Sequence, residues 1–395
     1  MPASERRQLI SPELRTMLYY FAHFSSSGAA VAYAGIWFAG QGLSSGDIGI
    51  VNSLPIFLML GLNLAVGRLA DRLSDWRQVI VVGALITAVV PFALFVVHGF
   101  LQILLVWTCL MLPVYAIAPV ADAASLRMTA RNGTDFGAIR ACGTVGYMAF
   151  NAITGLLVSV LGAAAFVPLY VFLNVMRGIT ALWLPRFRAP PTEEAVAAFV
   201  MPKAGRLRDV MQPWFLLPLI GASLVFATHI IINAFAALLW KEQGISEAII
   251  GPLIAIGAFA EATMMFAWRR VGARVPARTT LLVAALAAAF RWAVMGFSPP
   301  VYVLVVLQLL QSLSFALSYL SAVHFIAKWT SEDIAAECQS FFVVLQQAAS
   351  VVALTGFGWL VGFMGAKAYL VAALFALIGA GCIWLSIKMK QPQPG

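Results

Sequence analysis

RFRAPPTEEAVAAFVMPKAGRLRDVM, residues 186–211, is the one long polar connection in a chain of 395 residues. Pro190 and Pro191 break it, Glu193 and Glu194 follow, and Lys203, Arg206 and Arg208 close it. Apolar runs dominate on both sides: 62% of the chain is hydrophobic, only 10% is charged, and the mean hydropathy is +0.91. A water-exposed globular surface cannot be built from so few charges. Lipid is therefore the expected solvent. A bilayer core about 30 Å thick takes about 20 apolar residues per helix, which leaves room for about twelve spans.

The runs fall near 17–40, 46–66, 78–97, 101–125, 139–161 and 164–185 before the connection, and near 212–240, 246–268, 279–297, 300–327, 337–362 and 366–388 after it. The expected fold is an all-α membrane protein with twelve transmembrane helices in two six-helix bundles. Residues 1–185 form the first bundle, 186–211 a cytoplasmic linker and 212–395 the second bundle. Small residues recur along the runs, as in Ala284 to Ala289, and suit close helix contact in lipid. The first run is long and no small-residue cleavage pattern ends it, so it reads as a retained span.

The net charge of +9 is distributed by topology. With the N-terminus inside, 21 Lys and Arg fall in inside segments and only Lys241 and Lys367 in outside ones. That bias orients the chain with both termini cytoplasmic. It is not the footprint of a nucleic acid, and no nucleic-acid partner is expected. Cys109, Cys142, Cys338 and Cys382 lie in or beside apolar runs without metal-ligand spacing, so neither a metal nor a disulfide framework is expected. Nucleotide loops and zinc-protease motifs are absent from the sequence, so no cofactor and no enzyme activity are expected.

Between the second and third runs the chain reads GRLADRLSDWR, residues 67–77. Asp71 near a helix start can accept backbone hydrogen bonds and pair with Arg72 or Arg77, latching one face of the molecule in one state. The alternative is a solvated topogenic loop. Gly67, Leu69, Asp71, Arg72 and Arg77 resemble the loop signature of the major facilitator superfamily. Ser74 and Asp75 replace the glycine and first basic residue usual there. In the second half WRRVGARVPAR keeps the basic residues and lacks the acid.

A second stretch, PVADAASLRMTARNGTDFGAIRACGTVGY, residues 119–147, resembles the region joining spans four and five of the phenylpropionate permease, nucleoside–proton symporter and lactose permease families. The lactose carrier's substrate-holding acid and arginine fall on Asp122 and Arg140, and its sugar-stacking tryptophan on Tyr147. An ionised Asp122 in an apolar run needs a partner, and Arg140 is the nearest in sequence. The pair either binds substrate or staples two spans.

Glu261 and Arg291 are placed so that they can meet between spans eight and nine, which explains both charges at once. The resemblance to phenylpropionate-permease-like proteins extends to Glu261 and to Arg291-Trp292. Arg177 either has a role in the site or snorkels to the headgroups. His23 and His229 occupy equivalent positions in the first span of each half and are candidate proton carriers or hydrogen-bonded structural residues. In span ten, Gln311 and Tyr319 stand where these families usually carry histidine.

The resemblance implies a secondary active transporter that moves a small solute across a bacterial inner (plasma) membrane by alternating access. Across spans four to nine Asp122 and Glu261 face Arg140, Arg177 and Arg291, a surplus of one positive charge that favours an anionic or strongly polar solute. The many aromatics suit a planar ring. The expected partners are that solute, H⁺ and the lipid bilayer, with the chain acting as a monomer. Substrate contacts are assigned to Asp122, Arg140, Tyr147, Arg291, Gln311 and Tyr319, proton coupling to Glu261, Asp122, His23 and His229, and gating to Gly67, Asp71, Arg72 and Arg77. Import fits the resemblance best. The alternatives are a drug or metabolite efflux carrier of the same fold and a nontransporting membrane receptor or assembly partner.

Overall fold

A computed structural model describes residues 11–187, 212–271, 274–330 and 332–389. Most of the 186–211 connection lies outside them, as do the surroundings of Gly67 and the side chain of Asp71. Everything described is helical or a short turn between helices. In chain order the helices are α1 (Pro12–Gly40), α2 (Ser45–Arg72), α3 (Trp76–Val89), α4 (Phe100–Asn132), α5 (Phe136–Leu161) and α6 (Phe166–Leu182). After the connection come α7 (Pro213–Glu242), α8 (Glu247–Val271) and α9 (Ala277–Met295). α10 (Val301–Trp329) is interrupted by a π-helical turn at Ser312–Ala316, and α11 (Glu332–Met364) and α12 (Ala368–Lys388) complete the fold.

Among the described residues, ten helical runs are long and apolar enough to cross a membrane. The last of them, Cys338–Lys388, contains α11 and α12 together, and α1 is not among the ten. α1 carries Ser25, Ser26, Ser27, His23 and several tyrosines, so its hydropathy is diluted even though most of its side chains are buried by protein.

Helix ends follow local chemistry. Ser44 and Asp47 form a reciprocal capping box that starts α2. Asp135 accepts from the Gly137 amide at 2.8 Å and starts α5. Gly133, in the left-handed region at φ 67°, stops α4. Asp75 starts α3 by accepting from the Arg77 amide at 2.8 Å, and its other oxygen accepts from Phe187 N at 3.0 Å. The acid that caps a helix in this loop is thus Asp75, a residue at which the loop differs from the signature it resembles. Arg77 donates to Leu182 O at 2.7 Å and ties the same loop to the end of α6, while Arg72 is exposed.

α1 packs on α5 and α6, α3 on α4 and α6, and α2 on α4. After the connection, α12 packs on α7 and α9, and α9 on α10. These two sets meet where α2 lies on α11, α5 on α8 and α1 on α7. Glycines allow the meeting. A Cβ on Gly155 would stand 2.5 Å from Glu247 O, and one on Gly251 would collide with Asn151 O. Beside that α5–α8 seam, Tyr33 of α1 donates to Glu247 O at 2.7 Å. All of these contacts lie toward the end of the molecule that carries the Gln41 and Gln243 turns. Gly251→Val is expected to push α5 and α8 apart and destabilise the protein by about 1–3 kcal/mol, the usual cost of overpacking. Denaturant unfolding of the purified protein in detergent checks this.

Candidate solute cavity

Toward the opposite end the two helix sets part around a cavity of about 1160 Å³. Its wall comes from one face each of α1, α2, α4, α7 and α11, with Trp76 from the start of α3. On α2 the lining residues are Asn52, Ile56, Met59, Leu60, Asn63 and Val66, a helical stripe at three- and four-residue spacing. On α4 they include Trp107, Met111, Tyr115, Pro119, Val120, Ala123 and Arg127. Twenty residues separate Trp107 from Arg127, so the wall is about 30 Å tall at 1.5 Å per residue. Trp107 is buried in the wall, whereas Arg127 and Ser340 are exposed at the mouth.

The lining is mainly apolar and aromatic, with the amides of Asn52, Asn63, Asn233 and Gln347 spread along it. Asn63 donates to Gln347 Oε1 at 3.3 Å and bridges α2 to α11. Among the described lining residues Arg127 alone is charged, and its guanidinium stands 4.6 Å from the centre of the Trp76 ring. No ion pair is formed with it by any described carboxylate.

The intramembrane ions expected to meet lie in two clusters, and of the two expected pairs Asp122 and Arg140 alone are in direct contact. Arg140 Nη1 lies 3.4 Å from Asp122 Oδ1, which also accepts from Tyr20 Oη at 2.7 Å. Arg140 further lies 4.6 Å over the Phe24 ring. Neither residue lines the cavity, and their side chains are 42% and 45% exposed for Asp122 and Arg140. The reason is helical phase: Asp122 is one residue, hence about 100°, around α4 from the cavity-facing Ala123. Asp122 and Arg140, expected to contact substrate, thus stand outside the cavity wall in this state.

Glu261 and Arg291 do not touch directly. Gln311 stands between them, donating from Nε2 to Glu261 Oε1 at 2.6 Å and accepting from Arg291 Nη1 through its own carbonyl oxygen. Arg291 is fully buried and also donates to Gln308 Oε1, while Gln308 donates to Leu253 O at 2.9 Å. The π turn at Ser312–Ala316 follows Gln311 immediately, in the register shift by which such turns present side chains at functional sites. Ser314, inside that turn, lies 2.9 Å from His229 Nε2. His229 Nδ1 in turn lies 2.8 Å from Val225 O, so both ring nitrogens are engaged in the helix framework.

His23 is buried beside Tyr19, with ring centroids 5.8 Å apart, and does not line the cavity. Tyr147 sits at the α5 seam, its carbonyl accepting from Asn151 Nδ2 at 2.9 Å, and Tyr319 is 40% exposed; neither borders the cavity. Arg177 is buried rather than turned to headgroups, donating to Ser26 Oγ at 3.3 Å and to Asn174.

The sequence reading missed most of the wall. Arg127 counts there as one more inside charge, and Asn52, Asn63, Trp107 and Asn233 pass as ordinary members of apolar runs. The signal that could have found them is the recurrence of amides and arginine on a single helical face.

The described residues thus form a membrane-embedded helical protein with a large, sparsely charged cavity between two helix sets. The MFS_1 like family model matches residues 14–380, and the chain belongs to that family. It is a multi-pass membrane protein of the major facilitator type and not an enzyme. Among curated relatives it is 25% identical over 367 residues to the "Probable 3-phenylpropionic acid transporter" of Escherichia coli (strain K12), covering 91% of this chain and 94% of that one. It is 29% identical over 340 residues to the maltose permease of Geobacillus stearothermophilus, covering 84% and 82%. Among solved structures, the nucleoside transporter NupG matches with a TM-score of 0.79 at 17% identity, covering 96% of this chain and all of that one. An inward-facing, unoccupied bacterial homologue of the human lysosomal transporter Spinster matches at 0.72 and 16%, covering 95% and 96%. At such identities the two structures establish the shared fold.

Proposed function

We propose that this chain imports a small aromatic monocarboxylate across the inner membrane by proton-coupled alternating access, as a monomer of twelve membrane-crossing helices in two six-helix bundles, residues 1–185 and 212–395. The observation that carries the reading is the cavity wall, in which Arg127 is the single charged group among the described residues, at the mouth of an aromatic and apolar chamber. A guanidinium stacked on Trp76 keeps donors free for one carboxylate, and Trp107 and Tyr115 offer faces to a planar ring. The name of the Escherichia coli relative points to the same chemistry.

In this reading the seams at the Gln41 end are closed and the cavity faces the cytoplasm, the side that the charge bias assigns to the Arg77 end. Exchange of those seams for contacts at the opposite end would expose the same wall to the outside. The loop of Gly67, Asp71, Arg72 and Arg77 would then gate that end, with Arg77 changing partners. The two ion clusters flank the cavity on neighbouring helices and serve coupling. Glu261 is the proton carrier, joined through Gln311 to Arg291, and Asp122 with Arg140 forms a second exchangeable pair. His23, His229, Tyr147 and Tyr319 act behind the wall.

The test is uptake of 3-phenylpropionate into proteoliposomes with an alkaline interior. Accumulation that collapses on adding a protonophore supports the reading. Proton-driven loss of solute would overturn it in favour of efflux, and absence of any flux would overturn it in favour of a receptor. Glu261→Gln is expected to abolish accumulation at least about 100-fold, the range for loss of a general acid or base, while exchange of labelled for unlabelled solute persists. Loss of both activities together would remove Glu261 from proton coupling.

A further inference from the structure

We propose that the buried polar cluster around Arg177, between α1 and α6, binds a halide-sized monovalent anion. Tyr19, His23 and Ser26 lie at i, i+4 and i+7 on α1 and so form one stripe. Arg177 meets that stripe from α6, with Nη1 on Ser26 Oγ at 3.3 Å. Exposure is 1% for Arg177, 1% for Tyr19, 6% for His23 and 2% for Ser26. A guanidinium so deeply buried is costly unless an anion or a full set of acceptors surrounds it.

The acceptors present are few and neutral. Asn174 offers Arg177 its side-chain oxygen, since its amide nitrogen donates to Tyr170 O at 2.7 Å. Ser26 gives its own proton to His23 O at 2.9 Å and so presents only an oxygen lone pair to Arg177. No described carboxylate is within ion-pair distance, and Asp122 is held by Tyr20 and Arg140.

Three further polar atoms are left without a hydrogen-bond partner in the same place: Arg177 Nε, Tyr19 Oη and His23 Nδ1. Arg177 Nε and the Tyr19 hydroxyl can act only as donors toward an anion, and a neutral imidazole protonated on Nδ1 supplies a third. Unsatisfied donors clustered with a cation that no described carboxylate pairs suit a single small negative charge. A dianion would overshoot the one positive charge available, and a carboxylate-bearing solute would need an opening to the main cavity, whose wall includes none of these residues.

The test is thermal unfolding of the purified full chain in detergent with sodium chloride, bromide or gluconate at equal ionic strength. Chloride and bromide should raise Tm saturably by about 3–5 °C over gluconate, as expected for a ligand at roughly 100 times its Kd. The rise should vanish in Arg177→Gln and persist in Arg127→Gln, which removes a cation from the cavity mouth instead. If Arg177→Gln does not fold, Tyr19→Phe, which removes one donor, should weaken the apparent bromide affinity several-fold. Equal Tm in all three salts, a halide effect surviving Arg177→Gln, or an affinity unchanged by Tyr19→Phe would overturn the site. None of these results depends on transport, so the anion site and the carrier reading fail separately.

Discussion

Arg127→Ala is expected to reduce uptake and binding of an aromatic carboxylate by about 10- to 100-fold while leaving the fold intact. A hydrogen bond to a charged partner contributes about 1.5–3 kcal/mol, and each 1.4 kcal/mol is a factor of ten in affinity. The side chain is exposed at the cavity mouth and pairs with no described acid, so its removal strands no buried group. Its stem and guanidinium rest on Trp76, and Arg127→Lys should recover only part of the loss, because an ammonium lacks the planar fork that matches a carboxylate and stacks on the ring. Isothermal titration with 3-phenylpropionate and with the uncharged amide of the same skeleton separates charge from shape. Equal loss for both ligands would show that Arg127 packs the mouth and does not bind the carboxylate.

The second large effect is on stability. Arg291→Leu is expected to destabilise the protein by about 3–5 kcal/mol, the range for breaking one side of a buried charged network. Arg291 is fully buried and supplies donors to Gln308, Gln311 and Ser314, and through Gln311 it is the nearest positive charge to Glu261. Removing it leaves the Gln308 and Gln311 side-chain oxygens without their donor and takes a positive charge from the neighbourhood of Glu261. The double variant Arg291→Leu with Glu261→Leu should unfold closer to the parent than Arg291→Leu does, since it removes the stranded charge as well. Denaturant unfolding in detergent measures both; simple additivity of the two single variants would mean that Gln311 carries no coupling between them.

The membrane class, the position of the spans and the pairing of Asp122 with Arg140 were legible in the sequence. Apolar run length and charge placement are local properties, and lipid enforces them span by span. The C-half cluster was legible only in outline. Two opposite charges in adjacent apolar spans imply a meeting, yet Gln311 lies between them because the π turn sets the phase of α10 at that level, and a one-residue change of phase is not visible in hydropathy. The cap at Asp75 was hidden for a related reason. Its second partner, Phe187 N, is 112 residues away.

By itself the sequence determined that this chain lives in lipid, how its runs divide around residues 186–211, and which few charges had to find one another. Tertiary structure alone decided which face of each helix looks into the cavity. It turned Asp122 aside, brought Arg127 and Trp76 to the mouth, and enclosed Arg177 between α1 and α6. The physical reason is that in a membrane both faces of a helix are apolar. Hydropathy then carries no record of which face meets protein, and side-chain packing between helices, with glycines at the closest approaches, makes that choice.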